Sequence, residues 1–204
     1  MPVPARVGAV CGVLAPTAFV GAWVVGGLLT EGYDPVREAI SQLAREGAPT
    51  RILMTSGLVA FGVLLPVWAV VLGARLGSRS VQGAATVAGL ATLAVAALPL
   101  TREPGGTQDL LHAVAAGTGY LAMALTPLLA VWPLRQAGRP GAAVASAVVG
   151  ATSGAALIGT LLVEDAAGGL QRLGLGVVDG WHVVAAVLVL RSAGPRVLAG
   201  GSAR

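Results

Sequence analysis

Lysine and asparagine are absent from this chain, and charge of either sign is scarce: 11% of its 204 residues are charged against 55% hydrophobic, with a mean hydropathy of +0.82. Soluble domains carry about 25% charged residues, so a chain this poor in charge cannot surround itself with water. All 13 basic residues are arginine, and alanine, glycine, valine and leucine dominate. That usage is the one expected of a GC-rich genome and points to a bacterial source. The single Cys11 lies inside an apolar run, which excludes a disulfide framework and cysteine metal spacing. No Ser-His-Asp order, HExxH, Walker loop or dinucleotide fingerprint is present. No motif therefore supports an enzyme, and neither a cofactor nor a metal is expected. An isoelectric point near 10.6 would suit nucleic acid as a partner, yet the arginines stand singly or in pairs without a basic stripe, and that reading is set aside.

What the chain does have is long apolar runs. Stretches free of Arg, Asp and Glu cover 7–30, 52–74, 80–101, 110–134 and 140–163, and a sixth, 173–190, is interrupted by Asp179 alone. Each can cross a hydrocarbon core of about 30 Å at about 1.5 Å per residue. The prediction is an all-α polytopic membrane bundle, one integral domain over 1–204, with spans near 7–29, 52–74, 81–101, 110–134, 141–163 and 171–191. Arg6 before the first run fits the n-region of a signal peptide, but the run is long and no A-x-A site closes it. It reads as a retained helix.

The arginines sort by side. The connections after the second and fourth spans hold Arg75, Arg79, Arg135 and Arg139, and the termini add Arg6, Arg191, Arg196 and Arg204, with no acid among them. The other side has Arg37, Arg45, Arg51, Arg102 and Arg172 against all nine acids, Asp179 included. The positive-inside rule puts both termini in the cytoplasm, and the protein in the cytoplasmic membrane with the lipid bilayer as its partner. Gly8 with Gly12, Ala115 with Gly119, and Gly150 with Gly154 sit four apart, small-residue seams that serve the bundle itself or a second membrane protein. Pro16, Pro66 and Pro127 are expected to kink their helices.

Between the first two runs stands "YDPVREAISQLAREGAP", residues 33–49. Asp34 suits an N-cap, Pro35 the first helical position and Gly47 a C-terminal cap, predicting an extracytoplasmic interfacial helix over 35–46. Its apolar face is Val36, Ile40 and Leu43. Such a helix lies in the interface, as a cover for helix ends or as a gate over an outward cavity. "YDPVREAISQL", "LPLTREPGGTQDLLH" and "GLQRLGLGVVDGW" together resemble the prokaryotic membrane family catalogued as domain of unknown function 998. The resemblance implies six membrane helices and carries no established activity. Arg102 stands where an acid is expected in that pattern, and His182 is not one of its positions.

A repeated pattern links "REPGGTQDLLHAVAA" and "RLGLGVVDGWHVVAA": Arg, Asp seven residues on, His ten on, then Val-Ala-Ala. Asp109 with His112 and Asp179 with His182 have the three-residue spacing of helix-borne metal ligands. Depth separates them: His112 lies about 34 Å of helix from the terminal side and His182 about 14 Å, so no common site forms. What remains is Arg172, Asp179 and His182 along one side of the sixth helix, from the boundary to the midplane. Two readings stand. Asp179 and His182 satisfy each other in a buried knot with Ser153 or Thr152, or the three line an outward-facing polar crevice in which His182 relays protons and Arg172 attracts an anionic headgroup or solute. Glu38, Ser41, Asp109 and His112 form a candidate outer rim. The functions compatible with these features are binding or moving a lipid headgroup or small solute, an intramembrane metal-dependent hydrolase, and an accessory subunit of a membrane complex.

Overall fold

In the computed structural model, which describes residues 3–192, six apolar helices form a closed ring. They are α1 (Ala5–Leu29), α2 (Arg51–Leu76), α3 (Arg79–Ala97), α4 (Thr107–Gln136), α5 (Pro140–Leu162) and α6 (Ala167–Ser192). Each packs against its neighbours in sequence, α6 returns to α1, and α4 meets α6 across the middle. All six are long and apolar enough to cross a membrane. The two described ends of the chain share one face with the turns at 77–78 and 137–139, here the terminal face. Arg196 and Arg204 lie outside the described residues.

Exposure is inverted relative to a soluble protein. Ile52 and Leu28 are 83% and 82% exposed, while Trp68, Leu65, Met54 and Val178 are fully buried in the ring. Lipid offers no hydrophobic drive for such packing, so the helices approach through small residues. A Cβ at Gly12 would stand 2.6 Å from the Trp68 ring, and one at Gly89 would stand 2.6 Å from the ring of Pro66. Gly8, Gly119 and Gly150 abut Val71, Ala91 and Leu128 in the same way, whereas Gly154 has open space around it. These predicted seams, Gly154 excepted, are used within the chain.

The helix limits follow local chemistry. α3 stops at Ala97, short of the predicted 101, because Leu98 precedes Pro99 and leaves helical geometry. On the terminal face, Gly77 closes α2 at φ +61° and the Ser78 hydroxyl accepts from the Val81 N–H at 3.3 Å to open α3.

The predicted interfacial helix over 35–46 is not what forms. Residues 34–38 make one turn, with Asp34 Oδ1 accepting from the Val36 and Arg37 N–H groups at 2.9 and 3.4 Å. Ala39 is then extended, and a 3-10 helix runs from Ile40 to Ala44. The cause is tertiary. The carbonyls of Pro35, Val36 and Glu38, which a helix would use internally, bond instead to α6. Ile40 and Leu43 are buried as their pattern predicted, but Val36 is 53% exposed.

Candidate functional site

The segment 33–47 lies over the ring's other end as a lid, and Arg172 in the first turns of α6 holds it. Its Nη1 donates to the carbonyls of Pro35 (2.7 Å), Glu38 (2.8 Å) and Gly168 (2.9 Å), and its Nη2 donates to the Tyr33 hydroxyl. The guanidinium also lies 5.5 Å from the Trp23 ring centroid and 5.4 Å from that of Tyr33. Burial pushes the Tyr33 phenol above its ordinary range despite the neighbouring cation. Beside Arg172, Gln171 Oε1 accepts from the Ile40 N–H at 2.9 Å, and the Gly169 N–H donates to Val36 O at 2.7 Å. On the far side the Glu46 N–H and Arg45 Nε donate to Leu100 O and Thr101 O of the α3–α4 loop at 2.9 and 3.0 Å.

Under the lid is a cavity of about 70 Å3, roofed by Ile40 and Ser41 and walled by Phe19, Phe61, Tyr120, Met123 and Leu175. His112 lines it. His112 is 4% exposed, and its Nδ1 stands 2.6 Å from Leu98 O, which puts a hydrogen on Nδ1, while Nε2 has no partner among the described residues. Of the other rim residues, Asp109 is occupied in shaping its loop: its oxygens accept from the Thr101 N–H and hydroxyl and from the Gly105 N–H at 2.8 to 3.0 Å. Glu38 Oε1 accepts from the Asp34 N–H at 3.1 Å. Only Ser41 and His112 of the four face the cavity.

Asp179 and His182 lie deeper. α6 runs from Ala167 to Ser192, which puts Asp179 at its middle. They are 2% and 0% exposed, so no crevice reaches them in this arrangement, and Arg172, directed at the lid, is not brought together with them. The predicted knot does not form either. Both Asp179 oxygens, His182 Nε2 and the fully buried Ser153 Oγ have no hydrogen-bond partner among the described residues. Instead the Trp68 indole N–H donates to His182 Nδ1 at 3.1 Å. A neutral His182 then carries its proton on Nε2, a buried donor that no described group meets. Ser153 belongs to the same level: on α5, Ala156 abuts Gly174, and Ser146 accepts from the Trp181 indole at 2.9 Å. Position 153 falls between those two contacts, within about one turn of Asp179.

The sequence reading did not single out Tyr33, Gln171 or Trp68. Gln171 carried a signal, as a polar residue next to Arg172 at the start of an apolar helix. Trp68 carried none, because its partner comes from 114 residues away.

A ring of six apolar helices with loops confined to its two faces is a multi-pass integral membrane protein. The chain belongs to the family described as "Protein of unknown function (DUF998)", whose model matches residues 13–188 and so reaches from the first helix into the last. No curated protein and no solved structure matches it.

Proposed function

We propose that the protein is a small carrier of the cytoplasmic membrane, which binds a small polar solute or a lipid headgroup at the centre of its ring and passes it beneath the lid. One observation carries the reading: Asp179, His182 and Ser153 hold four polar atoms at mid-membrane that are sealed from solvent and unpartnered. Each such atom costs about 1–3 kcal/mol, more for a charged group, and ionisable groups at that depth serve transport paths or proton relays. The cavity under the lid supports it further. Leu175, one turn to the lid side of Asp179, lines it. Because Arg172 shares α6 with Asp179 and His182, a tilt of that helix moves the lid latch and the central groups together. The lid faces outward and both termini lie in the cytoplasm.

The test compares the melting of Asp179→Asn, His182→Leu and an Asp179→Leu/His182→Leu double variant with the labelling of a cysteine at 182 by a small water-soluble thiol reagent. A carrier tolerates each single change within a few degrees, and the cysteine reacts from the lid side, faster when Arg172→Gln loosens the lid. Strong loss in both singles, recovery in the double and no reaction at 182 would leave a purely structural core.

A further inference from the structure

The central polar set leaves the terminal face unexplained. There the ends of α2, α4, α5 and α6 enclose a cavity of about 530 Å3, within the roughly 300–1,000 Å3 of pockets that hold small molecules. Its walls are apolar, with Leu72, Leu76, Leu134 and Leu188 among them. Two exposed arginines line it as well, Arg75 in the last turn of α2 and Arg139 at the start of α5. Neither is in an ion pair among the described residues, where both salt bridges belong to Arg37 on the opposite face. Of the other polar groups of the cavity wall, Ser146 accepts from the Trp181 indole and Ser192 donates to the Val189 carbonyl, each at 2.9 Å. The charge of the site is therefore cationic, and it stands over apolar walls.

We infer that this cavity binds an anionic amphiphile drawn from the bilayer, its phosphate held between Arg75 and Arg139 and its hydrocarbon chain laid along α2 and α6. A guanidinium presents paired donors that match phosphate oxygens, and leucine walls match an acyl or isoprenoid chain. A cation is repelled, and a free anion leaves the walls unused. The site does not depend on the central groups and stands or falls separately from the carrier reading.

Native mass spectrometry of the purified full chain, offered phosphatidylglycerol, phosphatidylcholine or inorganic phosphate, tests it. One phosphatidylglycerol is retained at activation that strips phosphatidylcholine, and inorganic phosphate is not retained. The Arg75→Gln/Arg139→Gln double variant lowers retention at least tenfold. Arg135→Gln/Arg191→Gln, which removes two charges from the same face outside the cavity, leaves it unchanged. Filling the cavity with both arginines in place, by Ala185→Leu or separately by Ala142→Leu, also removes the bound lipid. Two fillers are used so that one misfolded variant does not decide the matter. Retention that survives both fillers, or falls equally with either arginine pair, identifies a non-specific lipid belt and overturns the site. Retention of inorganic phosphate as strong as that of the lipid overturns the amphiphile.

Discussion

One guanidinium, donating to three backbone carbonyls and a phenol, closes the lid end of the ring. Hydrogen bonds from a charged donor contribute about 1.5–3 kcal/mol each, and here part of that is lost to solvent at the boundary. Arg172→Gln is expected to free the lid without unfolding the ring: a cysteine at Leu43, which is 1% exposed, should change from unreactive to reactive toward an impermeant thiol reagent. Gly168→Ala offers a second route, since its Cβ would run into the Glu38 carbonyl and crowd Arg172 Nη1 with the guanidinium still present. Unchanged protection of Leu43→Cys in both variants would show that the lid is held elsewhere. Arg172 stood out in the sequence from its place at a span boundary beside two intramembrane ionisable residues. Its partners were not, because a backbone carbonyl has no identity in a sequence and declares itself only when two distant segments meet.

At the scale of elements, the spans were readable because lipid demands long uncharged runs, and a run has only one way to satisfy its backbone there. The segment 35–46 was misread for the opposite reason. Its Asp-Pro start and its Ile40 and Leu43 spacing are honest helix signals, but α6 competes for its carbonyls and wins. The seams between elements make a sharper test. Gly12→Val puts a branched side chain against Trp68 and Ala186, and overpacking of this kind costs about 1–3 kcal/mol. Gly154→Val, on α5 with nothing within 4 Å, is expected to stay within about 0.5 kcal/mol of the parent. Melting of both variants in one detergent decides it, and equal effects would mean that the ring is looser than its packing indicates. His182 gains from the same seam, because Trp68, pressed against Gly12, is held where its indole reaches the imidazole.

For the whole molecule, the split of charge between faces sets which way the ring stands in the membrane. The short turns of the terminal face carry Arg75, Arg79, Arg135 and Arg139, and Arg6 and Arg191 adjoin the ends, without one acid. The lid-face connections combine Arg37, Arg45, Arg51 and Arg102 with Glu31, Asp34, Glu38, Glu46, Glu103, Glu164 and Asp165. Basic residues in short loops resist translocation, and acids contribute little, so the arginine count in those turns governs orientation. Reporter fusions after Arg79 and Arg139 are expected to report cytoplasm, and fusions near Gly47, Gly105 and Gly168 the outer side. Replacing Arg75, Arg79, Arg135 and Arg139 together with glutamine should mix the two orientations, because the terminal side then keeps four arginines, Arg6, Arg191, Arg196 and Arg204, against five on the other. A reversed pattern at any two loops of the parent chain would overturn the six-helix topology, and reversal at all five would place the lid inside the cell, with the arginine cavity opening outward. On the proposed readings, solute would then enter from the cytoplasm beneath the lid and the amphiphile would come from the outer leaflet.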